Sequence, residues 1–226
     1  MAHLKRYSIP VYWRLGKKED KFTTAPTAGP HPRDKCIPLL VALRNVLKLS
    51  ETSKEARKII KSGEILVDKK PKKDPNYPLG LMDVIEIPKM KKIYRVGVDK
   101  KGLVLAEEDA KNADRKLCKI KGKKTIKGGM TQLNLHDGMN ILVEKDVYKT
   151  SDSLIIELPT QKILKHFNFA KNSPAIVVSG KNMGVQGKIK DISERKTMTE
   201  TSSVIIETKG GEIETVKNYV IVGEVK

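Results

Sequence analysis

The sequence predicts an α+β chain built from several small domains. A basic N-terminal arm (residues 1–35) precedes a small αβ domain (36–92), a β-rich central domain (93–172) and a small C-terminal β-barrel (173–226). Three observations predict this. The 226 residues give room for one large domain or two to three small ones. Apolar residues at helical spacing are confined to residues 36–61. Beyond residue 64 the apolar runs are short and separated by turn residues, the pattern of strands.

Composition narrows the class of function before any motif is read. Lys and Arg number 45 against 27 Asp and Glu, a net charge of +18. Disorder throughout does not fit a chain that is 38% hydrophobic with periodic apolar runs. No apolar run approaches the roughly 20 residues needed to span a bilayer, so no membrane partner is expected. The start carries no apolar stretch of the secretory kind. Two cysteines, Cys36 and Cys118, exclude a disulfide framework or a four-cysteine zinc site and fit a reducing cytosol. A charge of this size on this length seeks a polyanion, above all nucleic acid. Residues 1–50 hold ten basic and three acidic side chains, residues 151–226 eleven and nine, so the N-terminal half is the stronger binder.

Residues 1–35 read as an arm. They hold Pro10, Pro26, Pro30 and Pro32, the cations Lys5, Arg6, Arg14, Lys17, Lys18 and Arg33, and little apolar periodicity. Such a segment is expected to order only on RNA. Its aromatics Tyr7, Tyr12 and Trp13 have two readings: stacking on unpaired bases, or, for Trp13, anchoring the arm to the folded body.

Residues 36–49 read as a helix. Pro38 suits the first turn, and Leu40, Leu43 and Leu47 repeat at helical spacing. A second helix follows, opened by the capping box Thr52-x-x-Glu55 and stopped at Gly63. On it Lys54, Arg57, Lys58 and Lys61 share one face, while Ala56, Ile59 and Ile60 point into a core. Four like charges on one face cost repulsion unless a polyanion is present, which favours a phosphate-binding face over a merely solvated one. A strand at 64–67 leads into a turn carrying Lys69, Lys70, Lys72 and Lys73, and residues 81–87 return as a strand ended by Pro88. The order helix, helix, basic β-loop, strand, with the stretch Ser53 to Lys70, resembles the S-four-type RNA-binding domain.

The central region holds strands at 93–98 and 103–106 around the turn Asp99–Gly102, a short helix at 106–116, and short strands at 117–121 and 124–127 about Gly122. Further strands are expected at 133–136, 140–143 and 154–158. Lys119, Lys121, Lys123, Lys124 and Lys127 crowd one hairpin, either guarding an edge strand or touching phosphate. In the last region Ala175–Ser179 is a strand, and Gly180, Lys181, Asn182, Gly184, Gly187 and Lys188 form a glycine-punctuated turn. Strands at 204–207 and 216–222 follow, joined by the turn Lys209–Glu212. Strand, turn ending in Gly187, then Lys188-Ile189-x-x-Ile192 resembles the KOW motif of ribosomal proteins and elongation factors.

No catalytic constellation is visible, and neither cofactor, metal nor small-molecule substrate is expected. Gly180-Lys181 fails the phosphate-loop pattern, because Ala175 and Asn182 stand where Gly and Ser or Thr are required. His3, His31, His136 and His166 show no metal-ligand spacing. Cys36 and Cys118 read as small core residues.

The motif order over nearly the whole chain resembles one family, the small-ribosomal-subunit protein S-four of the eukaryotic and archaeal type. The resemblance rests on His3–Arg6 with Pro10–Leu15, Thr27–His31, Ile37–Leu40, Leu43–Asn45, Asn76–Ile85, Lys116–Lys119 and Val178–Gly187. The chain stops soon after Val222, which suggests an archaeal member. The resemblance implies a structural constituent of the cytoplasmic small ribosomal subunit, bound to ribosomal RNA and to neighbouring ribosomal proteins, and not an enzyme. The RNA face would comprise Arg44, Lys54, Arg57, Lys58, Lys61, Lys69, Lys70, Lys72 and Lys73, with Lys5, Arg6, Arg14, Lys17, Lys18 and Arg33 threading along the backbone. The alternative is a KOW-containing transcription elongation factor or another RNA-binding factor.

Overall fold

A computed structural model describes residues 4–144, 146–195, 197, 200–208 and 210–223. His3 of the opening motif and Lys209 of the last turn lie outside the described residues. The chain divides into two compact units, one of residues 1–97, 102–116 and 157–160, the other of residues 98–101, 117–156 and 161–226.

The first unit begins with the arm, and here the expectation of an arm unordered without RNA is corrected. Strand β1 (Leu4–Lys5) pairs antiparallel with β2 (Phe22–Thr23), with Leu4 opposite Thr23. Leu4, Ile9 and Trp13 are buried in the same cluster as Ile37, Leu40 and Val96. The Trp13 indole donates from Nε1 to the Cys36 carbonyl at 2.8 Å. The anchoring reading of Trp13 therefore holds. Removing a buried Trp side chain costs roughly 3–5 kcal/mol, so Trp13 is a principal anchor of the arm, with Leu4 and Ile9 beside it in the same core. Gly102 completes the fit. Its φ is +137°, and a Cβ there would stand 2.3 Å from the Tyr12 carbonyl oxygen, so only glycine admits the arm at that point.

The expected helix 36–49 is shorter. Ile37–Pro38 is strand β3, paired with β6 (Pro78–Leu79), and helix α1 (Leu39–Val41) passes into a π-helical turn (Ala42–Val46). Pro38 caps it from an extended conformation (ψ 141°), which is where a residue without an N–H fits best beside a strand. Helix α2 (Ser53–Lys61) forms as its capping box dictates. Glu55 N donates to Thr52 Oγ1 at 3.2 Å, the Glu55 carboxylate accepts from Glu51 N, and Gly63 sits at φ +78°. Ala56 and Ile60 are buried, Ile59 half-buried.

The sheet of this unit runs β5-β4-β7-β8-β9, formed by β4 (Leu66–Val67), β5 (Lys70–Pro71), β7 (Val84–Ile87), β8 (Lys92–Asp99) and β9 (Gly102–Glu107). Two expected strands shrink. Glu64 and Ile65 precede β4, and Leu81–Asp83 form a turn ahead of β7, with Met82 at φ +66°. The short helix expected at 106–116 is only α3 (Ala110–Ala113).

The second unit holds two five-stranded antiparallel sheets. The first has the order β12-β11-β10-β13-β14, from β10 (Arg115–Thr125), β11 (Thr131–Leu135), β12 (Asn140–Val143), β13 (Ser153–Glu157) and β14 (Ile163–Phe167). The two short strands expected about Gly122 are one strand with a bulge between Ile120 and Gly122. Cys118, Ile120, Leu133, Leu154 and Ile156 form its core. The second sheet runs β18-β17-β16-β15-β19, from β15 (Pro174–Val177), β16 (Gln186–Ser193), β17 (Ser203–Thr208), β18 (Gly211–Val216) and β19 (Val220–Val222). The strand expected at 216–222 is interrupted by a 3-10 turn at Lys217–Tyr219, and β14, β16 and β18 are strands the alternation did not reveal.

Candidate nucleic-acid interface

Helix α2 and the loop after it make the strongest cationic surface. Lys54, Arg57, Lys58 and Lys61 are all exposed, because the helical period turns them away from Ala56 and Ile60. In the loop, Lys70 and Lys73 are exposed. Gly63 ends α2 so closely under Lys73 that a Cβ on Gly63 would lie 3.1 Å from Lys73 Cε. The helix C-terminus and the lysine loop therefore share one surface. Lys72 Nζ lies over the Tyr77 ring at 4.6 Å from its centroid, a cation–π contact that holds its charge beside the loop.

Three of the expected cations are engaged by the protein's own side chains, and two of these leave the RNA set. Arg6 is 2% exposed. It donates from Nε to the Gly16 carbonyl at 2.8 Å and pairs with Glu19 at 2.5 Å and Asp20 at 3.5 Å, so it closes the arm's loop and is withdrawn from the RNA set. Lys69, at φ +64°, bonds Glu86 at 2.8 Å and Asp114 at 2.7 Å. Desolvation alone would lower its pKa, but the hydrogen bonds to Asp114 and Glu86 override that and raise it. Its charge is neutralised by two carboxylates, so it too is withdrawn. Arg44 is half-buried, donating to Ser53 Oγ at 2.9 Å and lying 3.7 Å from Asp20, so it buttresses the start of α2. Lys5, Arg14, Lys17, Lys18 and Arg33 are exposed on the arm.

The lysines of the β10–β11 hairpin divide in the same way. Lys119 is buried and donates to the carbonyls of Lys217, Asn218 and Val220 at 2.7–3.2 Å. Lys123 pairs with Asp146 at 2.7 Å. Lys121, Lys124 and Lys127 are exposed. β10 is the middle strand of its sheet, and its residues 122–125 pair with β11.

Of the expected glycine-punctuated turn, Lys181 is exposed and Asn182 half-buried, while Gly187 and the exposed Lys188 already lie in β16, paired with β15. The glycines answer to the protein's own backbone. A Cβ on Gly184 would come within 2.6 Å of the Asp99 carbonyl carbon, and one on Gly187 within 2.2 Å of the Glu207 carbonyl oxygen.

Two clusters carry chemistry that sequence reading missed. The first is a buried charge network: His31 Nε2 lies 3.1 Å from Asp83, Gly80 N donates to Asp83 at 2.8 Å, and Lys116 donates to Asp83 and Asp68. The second brings ligand atoms of Cys118, His136 and Asp137 within 4.8 Å of one another. That cluster is closed by its own bonds. Cys118 Sγ donates to Asp137 Oδ2 at 3.4 Å, and His136 Nδ1 accepts from Lys119 N at 3.2 Å, so the lone pairs a metal would need are engaged. Cys36 is equally quiet: burial, with the Asp34 and Asp83 charges nearby, pushes its thiol up to about 12, far from the thiolate a nucleophile needs.

A β-rich basic chain with a cationic helix–loop surface and no assembled reactive centre among the described residues defines an S4-domain RNA-binding protein. The S4 domain pattern matches residues 38–85, the RS4NT (NUC023) domain residues 2–34, and Ribosomal family S4e residues 90–163. The chain is 44% identical over 221 residues to the small ribosomal subunit protein eS4 of Methanothermobacter thermautotrophicus, covering 97% of this chain and 91% of that one. It is 44% identical over 229 residues to that of Methanocaldococcus jannaschii, covering 97% and 93%. The crystal structure of the 30S ribosomal protein S4e from Thermoplasma acidophilum superposes with a TM-score of 0.72 at 29% identity, over 84% of this chain and 95% of that one. The chain belongs to the ribosomal S4e family, a family of ribosomal structural proteins rather than enzymes.

Proposed function

We propose that the chain is a structural constituent of the small ribosomal subunit in the cytoplasm, where it binds ribosomal RNA and packs against neighbouring ribosomal proteins. Near-full-length identity to eS4 relatives carries this reading. The transcription-elongation alternative rested on the C-terminal barrel alone and is not supported by the relatives described above.

The RNA face on this reading is Lys54, Arg57, Lys58 and Lys61 on α2 with Lys70, Lys72 and Lys73 on the loop, framed by Arg44. Lys5, Arg14, Lys17, Lys18 and Arg33 extend it along the arm. Cations placed this way neutralise phosphates and release counterions, and they position RNA by shape more than by sequence. The arm, the αβ domain 36–92, the central domain 93–172 and a KOW-type barrel 173–226 are the working parts. The last is supported by the five antiparallel strands β15 to β19, by the turn carrying Lys181 and by Lys188 at the start of β16.

Sedimentation of a native lysate through a high-salt sucrose gradient tests the role. The chain should travel with the small subunit and be released by ribonuclease. A chain that stays at the top, or follows RNA polymerase after nuclease, overturns the proposal.

A further inference from the structure

The arm lines an open cavity of about 270 Å³, of whose lining residues only Arg33 also belongs to the proposed phosphate-binding set. Its floor is apolar, formed by the buried Leu4 and Trp13 and the half-buried Pro10 and Pro26. Its mouth is polar, with exposed Arg33 and Asp34 side by side. We propose that this cavity takes one unpaired RNA nucleobase, and that the base is guanine; the proposal rests on the RNA-binding reading above.

Three features carry the assignment. The first is rigidity. The Tyr12 hydroxyl donates to the carbonyls of Arg33 (3.3 Å) and Cys36 (3.1 Å), and Trp13 Nε1 donates to the same Cys36 carbonyl. The aromatic floor and the turn that bears the polar mouth are thus tied together, so the site exists before the ligand arrives. The second is charge. Residues 1–35 hold eight basic and three acidic side chains, and Glu19 and Asp20 are engaged by Arg6. Asp34 is left as a carboxylate facing a polyanion, which costs repulsion unless it accepts from a donor edge. Guanine presents two adjacent donors, N1–H and N2–H, which match a carboxylate's two oxygens; uracil offers one ring N–H, and cytosine and adenine one amino group. The third is the surroundings. Tyr7 and Val11 flank the lining residues Ser8 and Pro10 in sequence and are 68% and 78% exposed. Exposed apolar and aromatic groups beside Arg33 suit a splayed-out base and its phosphate better than a hydrated phosphate alone.

Trp13 is the chain's single tryptophan, so its emission reports the cavity directly. The test titrates the full chain with stem–loop RNAs that differ in one loop nucleotide: guanine, adenine, uracil, cytosine or an abasic sugar. The guanine loop should bind at least tenfold tighter than the abasic loop and quench Trp13. Asp34→Asn should reduce it to the level of the others with the salt dependence unchanged, and Ser8→Leu, which plugs the mouth, should abolish quenching while the far-ultraviolet spectrum stays as in the parent. Equal binding of guanine and abasic loops without quenching overturns the cavity assignment and leaves RNA binding standing. Preference for another base overturns the guanine assignment. Quenching by RNA-free small-subunit proteins but by no RNA overturns the nucleobase as occupant. Failure of every RNA to bind at low salt overturns this proposal and the ribosomal reading together.

Discussion

Lys116 donates from Nζ to Asp83 Oδ1 at 2.7 Å and, at 2.6 Å, to Asp68 Oδ2, with its own side chain 1% exposed. One ammonium thus joins the turn after β4 to the turn before β7, and through Asp83 reaches His31 of the arm. An isolated charge at this depth is untenable. Here the lysine has two carboxylates, and Asp83 also accepts from Gly80 N.

Lys116→Met should therefore destabilise the chain by roughly 3–5 kcal/mol, because two buried carboxylates lose their counter-ion. The midpoint of urea unfolding checks this. A shift below 1 kcal/mol would mean that water or rearrangement replaces the ammonium, and the network would be incidental.

The same network sets an acid limit. Burial alone would push the Asp83 carboxyl up, but the Lys116 charge and the His31 and Gly80 hydrogen bonds overcome it and hold the pKa below the ordinary carboxylate range. A depressed folded-state pKa means stability that is fully present above the unfolded value near pH 4 and is lost as pH falls toward the folded value. Asp68 opposes this: burial and the Asp83 charge raise its pKa, so its ionised form costs stability that is regained in acid. Asp83→Asn should thus be much less stable than the parent at pH 7, with the gap closing below about pH 4. A gap independent of pH would place the effect in packing rather than charge.

Changing Lys54, Arg57, Lys58 and Lys61 together to Gln should leave the fold intact, because all four are exposed. The slope of log K against log salt for RNA should fall by about 3–4, at roughly 0.7–0.9 for each lost phosphate contact. Filter binding over a salt series reads it. An unchanged slope would show that α2 presents a solvated face only.

Gly184→Ala should destabilise by at least about 1–3 kcal/mol, since φ is +82° and the new methyl would meet the Asp99 backbone at 2.6 Å. Thermal unfolding measures the loss. Full stability would mean that the turn shifts freely and does not depend on glycine.

Some of this was legible residue by residue. Thr52, Glu55 and Gly63 bond neighbours three or four positions away, so α2 and its exposed cations follow from local rules. Net charge and the strand–turn alternation beyond residue 64 follow from composition and period. The family followed from motif order, which survives any uncertainty over strand ends. Other elements had no local signal. The stretch 36–38 carries helix-compatible residues, yet Ile37 pairs with Leu79 and becomes strand. Residues 163–167 read as featureless, yet they pair with β13 as β14.

By itself, then, the sequence determined a basic, β-rich RNA-binding chain of the S4e type and the cationic, exposed face of α2. Only the tertiary structure decided which cations are free for that task. Arg6, Lys69, Lys116 and Lys119 read in the sequence like any other basic residue. Each is held by oxygen atoms from segments up to 101 residues away, as Lys119 is by the Val220 carbonyl. The reason is physical: a charge is defined by its residue type, but its availability depends on burial and counter-ions that only chain folding brings near.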